Sequence, residues 1–168
     1  MKEHRCQRVE FDARGNLYPP RLIEMSYVDF EQHFVQNMQA SETRQRLCAN
    51  FNDFIHNFQE KISPVFKIWV DGSFISTKLN PRDIDAVFQL DYKICERQQS
   101  VLDSVWFTKA QKFRLGLDLY YSIEYPKTHK RHFISHLNHL YWTDVYGHTR
   151  KDNEENNYKK GFIELKFD

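Results

Sequence analysis

Two aspartates, Asp83 and Asp85, flank a single isoleucine where an apolar run begins, and this spacing suits metal chemistry. Residues i and i+2 of a β-strand point to the same face, so we expect the two carboxylates side by side and Ile84 in a core. Adjacent carboxylates raise each other's pKa, and a divalent cation between them relieves the repulsion. Because oxygen ligands of this kind suit Mg²⁺ or Mn²⁺, the pair predicts a metal site. The alternative is a solvated strand end.

Gly72 and Ser73, which follow the preceding apolar run, have the chemistry of a phosphate-binding turn. A glycine after a strand lets the backbone approach a ligand closely, and amides that begin a helix can bind phosphate oxygens. Ser73 adds a hydroxyl, and Lys78 adds a positive charge. We therefore predict that Gly72, Ser73 and Lys78 bind phosphate groups. The alternative for the loop that carries Lys78 is an ordinary turn.

Together, Gly72-Ser73 and Asp83-Ile84-Asp85 resemble the signature of the nucleotidyltransferase fold, the DNA polymerase beta superfamily. Its small members include the minimal nucleotidyltransferases of bacterial toxin–antitoxin and defence loci. The resemblance implies that Gly-Ser opens a short helix after one strand, that Asp-x-Asp lies on the next, and that a later strand supplies a third carboxylate. The best match for the third carboxylate is Asp118, in the alternating segment 116–123. Glu124, further along the same strand face, is the alternative.

Two late segments extend the resemblance over most of the chain. Tyr146-Gly-His-Thr-Arg150 and Lys160-Gly-Phe-Ile163 resemble patterns of a poorly characterised family of short bacterial and phage proteins of this fold. This resemblance marks Arg150 as a residue that binds the nucleotide.

The activity that the resemblance implies is metal-dependent transfer of a nucleotidyl group from an NTP to an acceptor. The acceptor would be an RNA end, a protein hydroxyl or a small molecule. Asp83 and Asp85 would hold two Mg²⁺ ions, and Asp118 would hold the second ion and accept the proton of the attacking hydroxyl. Gly72 and Ser73 would bind the β- and γ-phosphates. A toxin–antitoxin or phage-defence setting would add a cognate protein partner.

Two other classes of protein stay open at this point. The first is a catalytically inactive module of the same fold that acts as a nucleotide sensor or as a protein partner. The second is a structural RNA-binding protein that uses the basic segment 126–151. The formal net charge of +1, however, gives the whole protein no strong positive potential that would attract nucleic acid.

Length and composition indicate one globular domain over residues 1–168, and the resemblance implies that this domain is nucleotidyltransferase-like. The cysteines, Cys6, Cys48 and Cys95, are odd in number and far apart, so they form neither a zinc spacing nor a disulfide framework. A reduced, cytoplasmic location fits this usage. No apolar run is long enough to span a bilayer, so we expect no membrane association.

The elements that must position these residues indicate an α/β (α+β) fold, with a short mixed β-sheet flanked by helices. Residues 1–24 are expected to be irregular, because residues 15–20 contain Gly, Asn and two prolines. Apolar periodicity predicts strands at residues 65–70, 84–90, 117–125 and 161–167. It predicts helices at residues 26–37, 42–62, 92–112 and 132–146.

Three histidines, His132, His136 and His139, fall on one face of the last predicted helix. Such spacing can bind zinc, but no carboxylate or cysteine lies at a helpful offset. A solvated or ligand-facing polar stripe is the favoured interpretation.

Overall fold

The computed structural model describes residues 9–168, and its centre is a five-stranded mixed sheet with the strand order β3-β7-β4-β5-β6. A separate two-stranded hairpin, β1-β2, precedes it. The strands are β1 (Glu10–Phe11), β2 (Leu17–Tyr18), β3 (Leu22–Met25), β4 (Phe66–Asp71), β5 (Ile84–Asp91), β6 (Leu117–Glu124) and β7 (Phe162–Phe167). The predicted mixed sheet flanked by helices is confirmed.

Five α-helices are present in the described part of the chain. They are α1 (Tyr27–Phe34), α2 (Arg44–Lys61), α3 (Tyr92–Val101), α4 (Lys109–Leu115) and α5 (His132–Gly147). Short 3₁₀ turns lie at Gln36–Met38 and Ser73–Ile75, and a π-helical turn lies at Leu102–Trp106. None of the described helices is long and apolar enough to cross a membrane.

Strand direction decides which residues meet at the edge of the sheet. β5 pairs with β4 antiparallel and with β6 parallel. The end of β4 and the beginnings of β5 and β6 therefore lie at one edge, and the segments that carry the predicted site residues converge there.

One face of the sheet packs against α2 through aromatic rings. Phe58 of α2 contacts Phe66, Phe88, Trp106 and Phe107, with ring centroids 5.1 to 5.8 Å apart. Phe58 and Phe88 are fully buried. Because offset and edge-to-face ring pairs add to the burial of apolar area, this cluster holds α2 and the π-helical turn against β4 and β5.

The opposite face of the sheet is covered by α5. Trp69 of β4, almost fully buried, packs against His139 of α5, and Tyr146 of α5 packs against Phe162 of β7. Ser135 fixes the first half of α5, since its hydroxyl accepts a hydrogen bond from the Tyr125 backbone N–H at 2.6 Å. A single helix leaves part of this face open at the edge where the acidic residues lie.

The prediction that the N-terminal segment is irregular is wrong for the residues that the structure describes. Residues 10–25 contain three strands, and β3 forms the parallel edge of the main sheet beside β7. The turn predicted at residues 15–20 is only partly correct, since Leu17–Tyr18 form β2 and the turn lies at residues 12–16, where the Asp12 carboxylate accepts hydrogen bonds from the N–H groups of Arg14 and Asn16. This turn closes a hairpin, however, and strands of two to four residues are too short to give a periodic signal. Residues 1–8 lie outside the described part.

The predicted helix at residues 92–112 is also interrupted. The chain leaves helical geometry at Gln98 (φ −125°) and widens into the π-helical turn. It becomes helical again at α4, after Thr108 in extended conformation. The break turns Leu102 and Trp106 into the core against α2. Tertiary packing thus overrides the local helical pattern.

Candidate metal centre

Three aspartates on neighbouring strands form a row across the edge of the sheet. Asp85 at the start of β5 lies opposite Asp71 of β4 on one side and opposite Asp118 of β6 on the other. Residues paired in register share a face, so these carboxylates all point to the side that α5 covers. Asp83, two residues before Asp85, lies just before β5 begins. Carboxylate oxygens of Asp83, Asp85 and Asp118 lie within 4.8 Å of one another.

Glu124, the alternative third carboxylate, is remote from this cluster. It lies opposite Asp91, at the other end of the parallel pair β5–β6. Six residues of strand separate it from Asp118, which corresponds to about 20 Å. The parallel pairing therefore brings Asp118, and not Glu124, to Asp83 and Asp85.

Burial and the neighbouring charges of the cluster change the pKa of Asp85. Burial, and then the negative charges of Asp83, Asp71 and Asp118, raise the pKa of Asp85 to about 7. The Lys112 ammonium acts in the opposite direction. An ionised Asp85 thus lacks sufficient positive charge nearby, and a divalent cation would supply it.

Lys112 of α4, which the sequence analysis did not consider, enters the cluster from its outer side. Its Nζ makes a short contact with Asp118 Oδ2 and lies 3.2 Å from Asp83 Oδ2. Gly116, in the left-handed conformation (φ 72°), ends α4 directly before β6. This tight connection places Lys112 and Asp118, six residues apart, on the same side of the edge.

Gly72 follows β4 in a backbone conformation that only glycine adopts readily (φ 81°, ψ −164°). A Cβ atom here would lie 2.0 Å from Asp85 Oδ2, so glycine is required for this carboxylate to keep its position. The resemblance implied a short helix after Gly72-Ser73, and the structure has a single 3₁₀ turn, Ser73–Ile75. Phe74 and Ile75 anchor that turn in the core, while Ser73 lines the cleft beside the carboxylates.

Arg44 holds the loop that carries Ser73 and Lys78. Its guanidinium is fully buried and donates hydrogen bonds to five backbone carbonyls. The acceptors are the carbonyls of Phe34, Phe74, Ser76, Lys78 and Leu79, at 2.5 to 3.2 Å. Burial lowers the pKa of Arg44 to about 10, so the side chain stays charged at neutral pH. It is therefore a positioning residue for the loop.

A second ion pair ties the C-terminal part of the chain to the cluster. Lys160 makes a short salt bridge with Asp71, and both side chains are nearly buried. Asp71 therefore has a cationic partner from the C-terminal part of the chain.

The loop at residues 148–160 is closed at its base by backbone hydrogen bonds. Lys160 N–H donates to Gly147 O at 2.8 Å, and Thr149 N–H donates to Tyr158 O at 2.8 Å. These bonds hold Arg150 and Lys160 at the rim of the cleft, which Asn157 also lines, and residues 151–156 form an exposed tip.

The cluster opens into a cleft of about 900 Å³, which is large enough for a nucleotide. Its cationic lining residues are Lys78, Arg82, Lys112, Arg150 and Lys160, and its aromatic ones are Tyr120, Tyr141, Trp142 and Tyr146. A smaller cavity of about 350 Å³ is lined by Val9, residues 18–19 and residues 21–24, and its charged lining residues are Arg21 and Glu24.

The Tyr146 hydroxyl is a buried polar group at the wall of the cleft. The residue is 4% exposed, and its hydroxyl has no hydrogen-bond partner within residues 9–168. Burial and the charges of nearby carboxylates raise its pKa, so the hydroxyl keeps its proton as a donor. A buried donor without a partner is costly unless a ligand accepts its hydrogen bond.

The oxygen-only donor set of the carboxylates fits Mg²⁺ or Mn²⁺.

The histidine stripe and most of the basic segment lie away from this cleft. His132 Nδ1 contacts the Tyr125 carbonyl oxygen at 2.9 Å, and His139 packs on Trp69. Within the described residues, the only group with metal-ligand geometry is the aspartate cluster. Arg131 pairs with Glu96 at 3.6 Å, and from the basic residues of segment 126–151 only Arg150 lines the cleft.

Of the residues predicted from the sequence, all seven line the cleft: Gly72, Ser73, Lys78, Asp83, Asp85, Asp118 and Arg150. The ones that sequence reasoning missed are Arg44, Lys112, Lys160 and Tyr146. Two of them, Tyr146 and Lys160, lie within the late motifs, and that position was the only available signal. Cys48 and Cys95 are free and buried, and Cys6 lies outside the described residues.

The comparisons with known proteins add a family but no activity. Neither the curated proteins nor the solved structures contain a significant match to this sequence. One family model, described as a family of unknown function (DUF6932), matches residues 9–166, a range that includes the whole carboxylate cluster and its cleft. The chain therefore belongs to the family of unknown function DUF6932.

Proposed function

We propose that this protein is a metal-dependent nucleotidyltransferase, which moves a nucleotidyl group from an NTP to an acceptor hydroxyl. The observation that carries the proposal is the convergence of Asp83, Asp85 and Asp118 within 4.8 Å, in a cleft that is also lined by cations. This arrangement provides negative charge for divalent ions and positive charge for phosphates in one place. It also supports the resemblance of the two sequence motifs to the nucleotidyltransferase fold.

In the proposed reaction, Asp83, Asp85 and Asp118 hold Mg²⁺ or Mn²⁺. The bound ions supply positive charge to the phosphoryl oxygens and to the leaving pyrophosphate. Asp118, at the outer side of the cluster, accepts the proton of the attacking hydroxyl. Ser73 at the turn and the ammonium of Lys78 bind the β- and γ-phosphates, and Arg150 adds a guanidinium at the rim.

The test is an incubation of the protein with each labelled NTP, Mg²⁺ and cell lysate. Two acids at opposite ends of β6 give matched variants, Asp118→Asn and Glu124→Gln. We expect label in RNA, protein or small molecules with wild type and Glu124→Gln, and a loss of at least about a hundredfold with Asp118→Asn. Transfer that survives in Asp118→Asn and disappears in Glu124→Gln would contradict the assignment of the third carboxylate.

The same experiment distinguishes the enzyme from an inactive module of the same fold. Binding of an NTP and Mg²⁺ with no transfer to any component of the lysate would favour a nucleotide sensor or a partner in a toxin–antitoxin or defence complex. The chemical nature of the labelled product would identify the acceptor as nucleic acid, protein or small molecule.

A further inference from the structure

In the metal-free cluster, the positive charge of Lys112 lies against two of the aspartates. Its ammonium bridges Asp118 and Asp83 through one Oδ2 atom of each carboxylate. Oxygens from the same carboxylates would hold a divalent ion. An ammonium about 3 Å from these oxygens and a divalent ion about 2 Å from them repel each other strongly, so both cannot be held there at full strength.

The side chain of Lys112 is free to move away from the cluster. Its side chain is 39% exposed, and it lines the cleft where the nucleotide is expected. The lysine side chain is a flexible stem with a compact charge, whereas the end of α4 is held to α2 by a hydrogen bond from the Asn50 side chain to the Leu115 carbonyl oxygen at 2.8 Å. The ammonium can therefore turn toward the cleft without any movement of the helix.

We propose that Lys112 is a resident counter-ion of the carboxylate cluster, displaced from Asp83 and Asp118 by a divalent ion and then available to bind the phosphates of the nucleotide. This inference rests on the proposed function, because it requires that the cluster binds a metal. It assigns to Lys112 two opposite effects, a weaker affinity for the metal alone and a stronger affinity for the nucleotide.

The first experiment measures Mn²⁺ binding by electron paramagnetic resonance without any nucleotide. We expect Lys112→Met to bind Mn²⁺ at least about fivefold more tightly than wild type, the lower end of typical coupling between two ligands. Lys109→Met removes the same charge from an exposed position on the same helix and should match wild type. Lys112→Arg keeps the charge and should also stay near wild type.

The outcomes separate this inference from the proposed function. Mn²⁺ affinity that Lys112→Met leaves unchanged, or that Lys112→Arg raises equally, would overturn the counter-ion role while the metal site stands. An absence of Mn²⁺ binding in wild type and Lys112→Met alike would overturn the proposed function as well.

A second experiment uses only wild-type protein, so it does not depend on how the variants fold. Acetylation of Lys112 by an amine-reactive reagent is followed by mass spectrometry, with Lys109 as the internal reference. We expect slow labelling without metal, labelling several-fold faster with Mg²⁺, and slow labelling again with Mg²⁺ plus a non-hydrolysable NTP analogue. Labelling that Mg²⁺ does not accelerate would overturn the displacement.

Discussion

Asp85 is the residue at which the fold and the proposed chemistry conflict most directly. A carboxyl whose pKa is raised to about 7 holds its proton more tightly in the folded chain than in the unfolded one, where the pKa is 3.8. Its contribution to stability is therefore complete below pH 3.8 and is lost as the pH rises toward 7. Above that pH, the metal-free protein carries the cost of an ionised, poorly neutralised carboxylate.

We predict that Asp85→Asn makes the metal-free protein more stable at pH 8 and removes this dependence on pH between 5 and 8. The reason is that the amide has no charge to repel Asp83, Asp71 and Asp118. The measurement is the free energy of unfolding by urea at both pH values, with EDTA present. Asp53→Asn, at an exposed position of α2, is the control and should retain the wild-type dependence on pH. An Asp85→Asn variant that is less stable than wild type at pH 8 would mean that Asp85 maintains the fold.

At the scale of residues, the sequence allows the prediction of groups whose partners are near in the chain. Asp83 and Asp85 are recognisable because they lie two positions apart and a strand places such residues on one face. Lys160 is not recognisable as a partner of Asp71, since the two lie 89 positions apart and an ion-paired lysine looks like a solvated one in the sequence. The role of Arg44 could not be predicted either, because its acceptors are backbone carbonyls, which any sequence provides.

At the scale of elements, the loop between β4 and β5 depends on one side chain of α2. We predict that Arg44→Met lowers the free energy of unfolding by about 3 kcal/mol or more, since it leaves buried carbonyls without a donor at about 1–3 kcal/mol each. Urea unfolding measures the loss. Arg46→Met, two residues along and exposed, is the matched control and should change the free energy by less than about 0.5 kcal/mol. Equal effects of the two substitutions would show that the carbonyl contacts of Arg44 contribute no specific stability.

The elements that sequence periodicity predicted well are the long ones. β5, β6 and α2 each bury a continuous face, and their predicted bounds differ from the observed ones by one or two residues. The short strands β1 to β3 gave no such signal, and their positions depend on contacts with the distant β7 and with one another. The position of Asp118 beside Asp85 depends on the parallel pairing of β5 and β6, which no local pattern could supply.

At the scale of the whole molecule, the cleft joins segments from nearly the entire chain, from Asn16 to Lys160. A ligand that binds only the folded protein stabilises all of these segments together. We predict that Mg²⁺ plus an NTP raises the melting temperature more than either alone, with about 2.7 kcal/mol of stabilisation at a hundredfold excess over Kd. Thermal melts with all four NTPs measure the shift, and Glu124→Gln should keep it. A melting temperature that no NTP changes, with Mg²⁺ or Mn²⁺, would contradict a functional nucleotide site.

The loop that closes at its base between Gly147 and Lys160 offers a practical opportunity. Because hydrogen bonds close the base of the loop beside Arg150 and Lys160, the exposed segment 151–156 can be lengthened with little cost to the cleft. An epitope tag or a small fluorescent reporter inserted at this tip would lie beside the rim without blocking either chain terminus. Such an insertion would make the protein traceable in cells and would permit the isolation of macromolecules that bind it.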